Sequence, residues 1–248
     1  MNRYISMLLS MILVLALLTG CNSEVPGGSL STLETEPPTA AQTETQGAAQ
    51  EETVEDTAPA ENESYLGRME GGIYENTYTG YGCKLDTNWT FATAEQLQEL
   101  PDNVAELFKD TELEEATQKY TQITDMLAEN ANDLTSINVL YQKLDAATRL
   151  AFLGMSSEEI ADALLADIET YKTAYADAGI DMQSMEKVQV TFLGKEHTAL
   201  FMTSTFQGIP YYTLQIQDYS LGQYGVTLTL ASFQENKTES LLELFYAL

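Results

Sequence analysis

The sequence predicts an α+β fold: a mainly antiparallel sheet of about seven strands with helices packed on it. Three observations carry that expectation. Apolar and polar residues alternate with a period of two in three runs, 188–192, 212–217 and 226–230, with 198–206 between the first two. The breaks between those runs are short and carry glycine. One strongly periodic helical stripe lies ahead of them at 160–175.

In chain order, 73–78 and 82–85 read as short strands around the Thr79-Gly80 turn. Thr93 with Gln96 opens a helix carrying Leu97 and Leu100, which Pro101 should limit; a second would run through Val104 and Leu107. In 136–143, Ile137, Val139 and Tyr141 alternate with Asn138 and Gln142, and 123–128 is expected to pair with it. Ser156 and Glu159 form a capping box. The stripe Ile160, Ala163, Leu164, Ile168, Tyr171 and Tyr175 follows as one helix that stops at Gly179.

Four strands then form a meander. Val188, Val190 and Phe192 alternate with polar residues, as do Tyr212, Leu214 and Ile216, and Val226, Leu228 and Leu230, with 198–206 between them. The turns fall at Gly194-Lys195, Gln207-Gly208 and Leu221-Gly222. Pro210 sits at a strand start, where its missing N–H does little harm. A last helix uses Leu241, Leu242 and Phe245.

Charge excludes some functions. The 248 residues carry a net charge of −27. Residues 22–64 hold ten acidic and no basic side chains, and 65–248 hold 28 acidic against ten basic. Nucleic-acid binding depends on Lys and Arg meeting phosphates, so it is not expected. Anionic lipid head groups would also repel the chain. Because 22–64 has almost no large apolar side chains, it reads as a disordered acidic linker between residue 21 and one domain at 65–248.

The N-terminus is the most specific part. Arg3 is the only basic residue before Arg68, and the 15 residues 4–18 carry no charge. That length is short of the ~20 residues needed to span a bilayer and suits a secretory signal core. Leu18-Thr19-Gly20-Cys21 closes the stretch and resembles the lipobox of bacterial lipoproteins. The resemblance implies cleavage of residues 1–20 between Gly20 and Cys21, with diacylglycerol on Cys21 as the membrane anchor. The protein would then sit on the outer face of the cell membrane, held by its acyl chains.

A second resemblance covers 65–248. The order Tyr74-x-Asn76-x-Tyr78, Gly82, Leu85, Trp89 and Phe91, followed by an acidic helix, resembles the small exported lipoproteins of Firmicutes. These are similar to the PsbP/Mog1-like α/β/α sandwich. The stretch from Val190 through His197 to Leu200 looks like that family's central hairpin, and a closing strand with a C-terminal helix matches its ending. These landmarks shape a fold and carry no catalytic signature.

Candidate chemistry is sparse. After Cys21 the only cysteine is Cys83, which reads as a small half-buried strand residue or as a reactive thiol. His197 is the single histidine and is expected at a turn or strand edge. No zinc pattern and no nucleophile elbow is present, so the sequence points to no cofactor. Asp125, Glu129 and Asp133, spaced four apart, could offer oxygen ligands to Ca²⁺ or could be a solvated strand end. Tyr74, Tyr78, Tyr81, Trp89, Tyr211 and Tyr219 are candidates for a binding surface, or else core residues of the sheet.

The expectation is therefore a non-enzymatic, lipid-anchored module that binds or scaffolds an envelope protein or a small ligand. The alternatives are a small cell-surface hydrolase using carboxylates and a calcium-stabilised adhesion domain.

Overall fold

The computed structural model describes residues 65–107, 122–166, 168–177 and 179–248. The signal-peptide, lipobox and linker expectations fall on residues 1–64 and lie outside the described residues.

Eleven strands form two antiparallel sheets, so the domain is α+β. The small sheet has the order β1-β2-β3-β11, from β1 (Arg68–Glu70), β2 (Ile73–Asn76), β3 (Tyr81–Lys84) and β11 (Phe245–Ala247). The large sheet begins with β4 (Trp89–Phe91), β5 (Gln122–Asn130) and β6 (Thr135–Lys143). It continues with β7 (Ile180–Phe192), β8 (Lys195–Phe206), β9 (Ile209–Asp218) and β10 (Tyr224–Phe233). Its order is β4-β5-β6-β10-β9-β8-β7, so the meander β7 to β10 is joined to the earlier hairpin by β10 pairing with β6.

Helices α1 (Ala94–Leu107), α2 (Ala146–Phe152), α3 (Ser157–Leu165) and α4 (Ile168–Asp177) cover one face. Leu100, Phe152, Ile160, Leu164, Tyr171 and Tyr175 pack there on Leu127, Leu140, Leu200 and Met202. The small sheet covers the other face, where Tyr74 and Cys83 meet Met126, Val139, Leu214 and Leu228. Both faces are therefore buried. The polar members of the alternating runs do not reach water: Asn138, Thr213, Gln215 and Thr229 are 0% exposed. Gln215 satisfies part of this layer by donating to Thr229 Oγ1 at 3.2 Å.

Four local features depart from the expectation. Pro101 lies inside α1, which gives up the one bond a proline cannot make and continues, with Leu100 buried against the sheet. The long helical stripe is two helices, because α3 ends at Leu165 and α4 starts at Ile168; both segments bury the same face, so the spacing survives the break. The first turn is Leu193-Gly194, with φ of 51° and 75° as a two-residue hairpin turn of the primed type demands. At the end of the chain, α5 (Thr238–Leu241) and a 3₁₀ turn (Leu242–Leu244) give way to β11, which contains Phe245.

Candidate functional site

Two places in the domain concentrate polar groups, and they differ in kind. The first is Asp125, the only charged side chain among the buried described residues. It is the extra residue of a β-bulge: Thr124 pairs with Leu140 and Met126 with Val139, leaving Asp125 unpaired in register. The bulge turns it toward the small sheet. There it accepts from Gly67 N at 2.8 Å, Tyr74 Oη at 2.6 Å and Asn76 Nδ2 at 2.7 Å. Asn76 Nδ2 also reaches Tyr141 Oη at 2.8 Å and the Tyr65 carbonyl at 2.9 Å. Burial pushes the Asp125 carboxyl above its usual range, against the pull of those hydrogen bonds. The same burial raises the Tyr74 hydroxyl. This network ties the two sheets together and leaves no open position for a substrate.

The second place is a cleft of about 1140 Å³. Its origin is in the sheet. β8 and β9 are paired from Phe206↔Ile209 to Leu200↔Gln215 and then part. The β7–β8 hairpin runs on with Phe192, Lys195 and His197, whereas β9 stays with β10 to Asp218. Into this fork face Phe192, Ile216, Val226 and Leu228; Tyr81 and Ala247 of the small sheet close one side, and α2 with the residues after it closes the other. Asp145 caps α2 by accepting from Thr148 N at 2.8 Å. Ser156 and Glu159 hold the start of α3, and they pull the Glu159 carboxyl below its usual range. The 218–222 turn is held by Tyr219 stacked on Phe152 at 4.3 Å and by Tyr78 Oη donating to the Leu221 carbonyl.

The lip of this cleft is apolar and exposed. Leu150 and Leu153 are 71% and 76% exposed, the highest values among the large hydrophobics of the described residues. The volume lies a little above the range of ordinary ligand sites, ~300–1,000 Å³.

The sequence candidates scatter over this frame. Tyr74 and Tyr211 are buried on opposite faces of the large sheet, so the six aromatics do not share one surface. Tyr81 and Tyr219 are buried in the cleft wall, Tyr78 is half-buried beside the 218–222 turn, and Trp89 is half-buried on β4. Cys83 is fully buried rather than half-buried, and burial pushes its thiol up to about 12, which makes it inert at neutral pH. His197 stands where β8 has no β9 partner, as expected of a strand edge, with its ring 5.9 Å from that of Phe192.

Of the three carboxylates considered for calcium, Asp125 lies in the buried network, whereas Asp133 bonds Asn130 and Lys237. No group of three or more His, Cys, Asp or Glu suited to a metal ion occurs among the described residues. The cleft itself was not foreseen, because its walls come from five separate stretches of chain. The nearest signal was the coincidence of Arg149 and Leu150 on a short helix with Leu153 at its end.

No protein-family model matches this chain, and a comparison with curated proteins finds no match either. Among the described residues no helix is long and apolar enough to cross a membrane.

Proposed function

We propose that this chain is a lipid-anchored, extracytoplasmic binding module that holds its ligand in the cleft between β8 and β9. The observation that carries the reading is the open fork itself. A sheet that could have stayed paired parts after Leu200↔Gln215, and two leucines stay exposed at its lip. Exposed apolar patches rimmed by polar residues mark interaction sites. A carboxylate hydrolase draws no support from the same cleft, because Asp218 is the one carboxylate in its wall among the described residues and a glycosidase uses two.

The PsbP/Mog1-like resemblance belongs to this proposal. An antiparallel sheet with helices on one face supports it; the four-stranded sheet on the second face is this chain's own departure from a three-layer α/β/α sandwich.

Two experiments test the reading. Replacing Cys21 by Ala should release the protein from the membrane and remove the diacylglyceryl mass; unchanged retention with unchanged mass would end the anchor. A photocrosslinking residue at Leu153, used in the native envelope, should give an adduct that the same probe at exposed Glu235 does not. Recovery of the bare protein from both positions, at native abundance, would sink the binding claim.

A further inference from the structure

We infer that the occupant of the cleft is a single-chain amphiphile with a carboxylate head, of the long-chain fatty acid class; this rests on the cleft being the binding site. The charge of the cleft runs against that of the domain. Residues 65–248 carry 28 acidic and ten basic side chains, yet among the described residues the cleft presents Arg149, Lys195 and His197 against Asp218 alone. Asp218 is already engaged, accepting from Ser220 N at 2.8 Å and Ser220 Oγ at 2.6 Å. Arg149 and Lys195 take no part in the ion pairs of the described residues, which use Arg68, Lys172, Lys187 and Lys237. Unpaired cations beside an apolar trough complement an anion that carries an apolar tail.

The arrangement orders head and tail. Lys195 and His197 are two residues apart on β8 and so share a face, at the mouth of the fork. Arg149 stands on α2 one turn before Leu153 and next to Leu150. Its planar guanidinium can take a carboxylate through two parallel hydrogen bonds. Behind these cations the wall is Phe192, Ile216, Val226 and Leu228, which offer a chain nothing but apolar contact. The Tyr81 hydroxyl lies buried in the same wall, near Thr79 but with no hydrogen bond of ordinary geometry. A cleft of this size takes one long chain with its head.

The test uses the full-length protein and three probes with the same twelve-carbon tail: laurate, dodecanol and dodecyltrimethylammonium, titrated by calorimetry. Laurate should bind most tightly. The double variant Arg149→Gln, Lys195→Gln should weaken laurate by about tenfold or more and leave dodecanol unchanged, since hydrogen bonds to charged groups are worth at least about one decade. Leu153→Asp should abolish all binding while the melting temperature holds. Equal binding of the three probes overturns the carboxylate head and leaves the cleft as a binding site. No binding of any probe, together with a protein adduct at the Leu153 crosslinker, overturns the amphiphile and leaves the module reading. No binding and no adduct overturns both.

Discussion

The Asp125 network and the cleft are two answers to the same problem of polar groups beside an apolar sheet. In the network every donor has an acceptor: Gly67, Tyr74 and Asn76 all point at one carboxylate, and the carboxylate has no other task. In the cleft the balance is left open: Arg149 and Lys195 take part in none of the ion pairs of the described residues, and two leucines stand in water. Satisfied polar clusters hold a fold. On the proposed reading of the cleft, stability and binding are separable in this domain.

That separation can be broken or sharpened by four measurements, beginning with the largest effect. Asp125→Ala leaves the Tyr74 hydroxyl and the Gly67 N–H without their acceptor and takes one of three from Asn76 Nδ2, and should cost about 3 kcal/mol or more in urea unfolding, since removing one partner of a buried charged cluster is severe. A loss below about 1 kcal/mol would show that water relieves the site.

Gly82→Ala comes next. A Cβ there would stand 2.7 Å from the Tyr74 carbonyl oxygen and 2.8 Å from the Tyr246 ring. The small sheet must shift to admit it, at about 1–3 kcal/mol, read as a lowered urea midpoint.

A smaller effect lies in pH. Because burial raises the Asp125 value in the folded state, its protonated form is the one folding favours. Its contribution to stability is full below the ordinary carboxylate value of about 3.9 and is lost as pH rises through the folded value. Asp125→Asn lacks this component. The wild-type stability minus that of the variant should therefore fall with rising pH across that window and flatten above it; a difference that grows with pH would contradict the raised value.

The smallest stability effect belongs to the cleft. Leu150→Ser with Leu153→Ser should change unfolding free energy by no more than about 0.5 kcal/mol, as exposed substitutions do. Loss of laurate binding, with that stability kept, would place the two leucines in recognition alone.

How much of this was legible in the sequence follows from its periodicities. The later strands were readable because Leu214 and Ile216, and Val226 to Leu230, keep one parity toward one face. The earlier ends of two strands were not, because a bulge changes parity within each. In β7, Ile180 and Met182 face the helices, and beyond the shift at Met182/Ser184 the even residues Val188, Val190 and Phe192 face the small sheet. In β5, Ile123 and Met126 share a face across the bulge at Asp125. A period-two reading fails at both points.

Asp125 was visible only as one of three regularly spaced acids, since spacing along a strand says nothing of a register shift. The capping box at Ser156 was readable because it is entirely local. The fork was not, because it depends on where β8 stops pairing with β9.

The small sheet joins the two ends of the described domain. Phe245 pairs with Cys83 and Ala247 with Tyr81, while Leu248 N donates to the Gly80 carbonyl at 3.0 Å. That closure spans almost the whole domain in sequence, and contacts of such separation form slowly. The floor of the cleft at Tyr81 and Ala247 is thus finished late, after residues 245–247 have been synthesised. A nascent or C-terminally clipped chain would own the large sheet and lack one wall of the cleft.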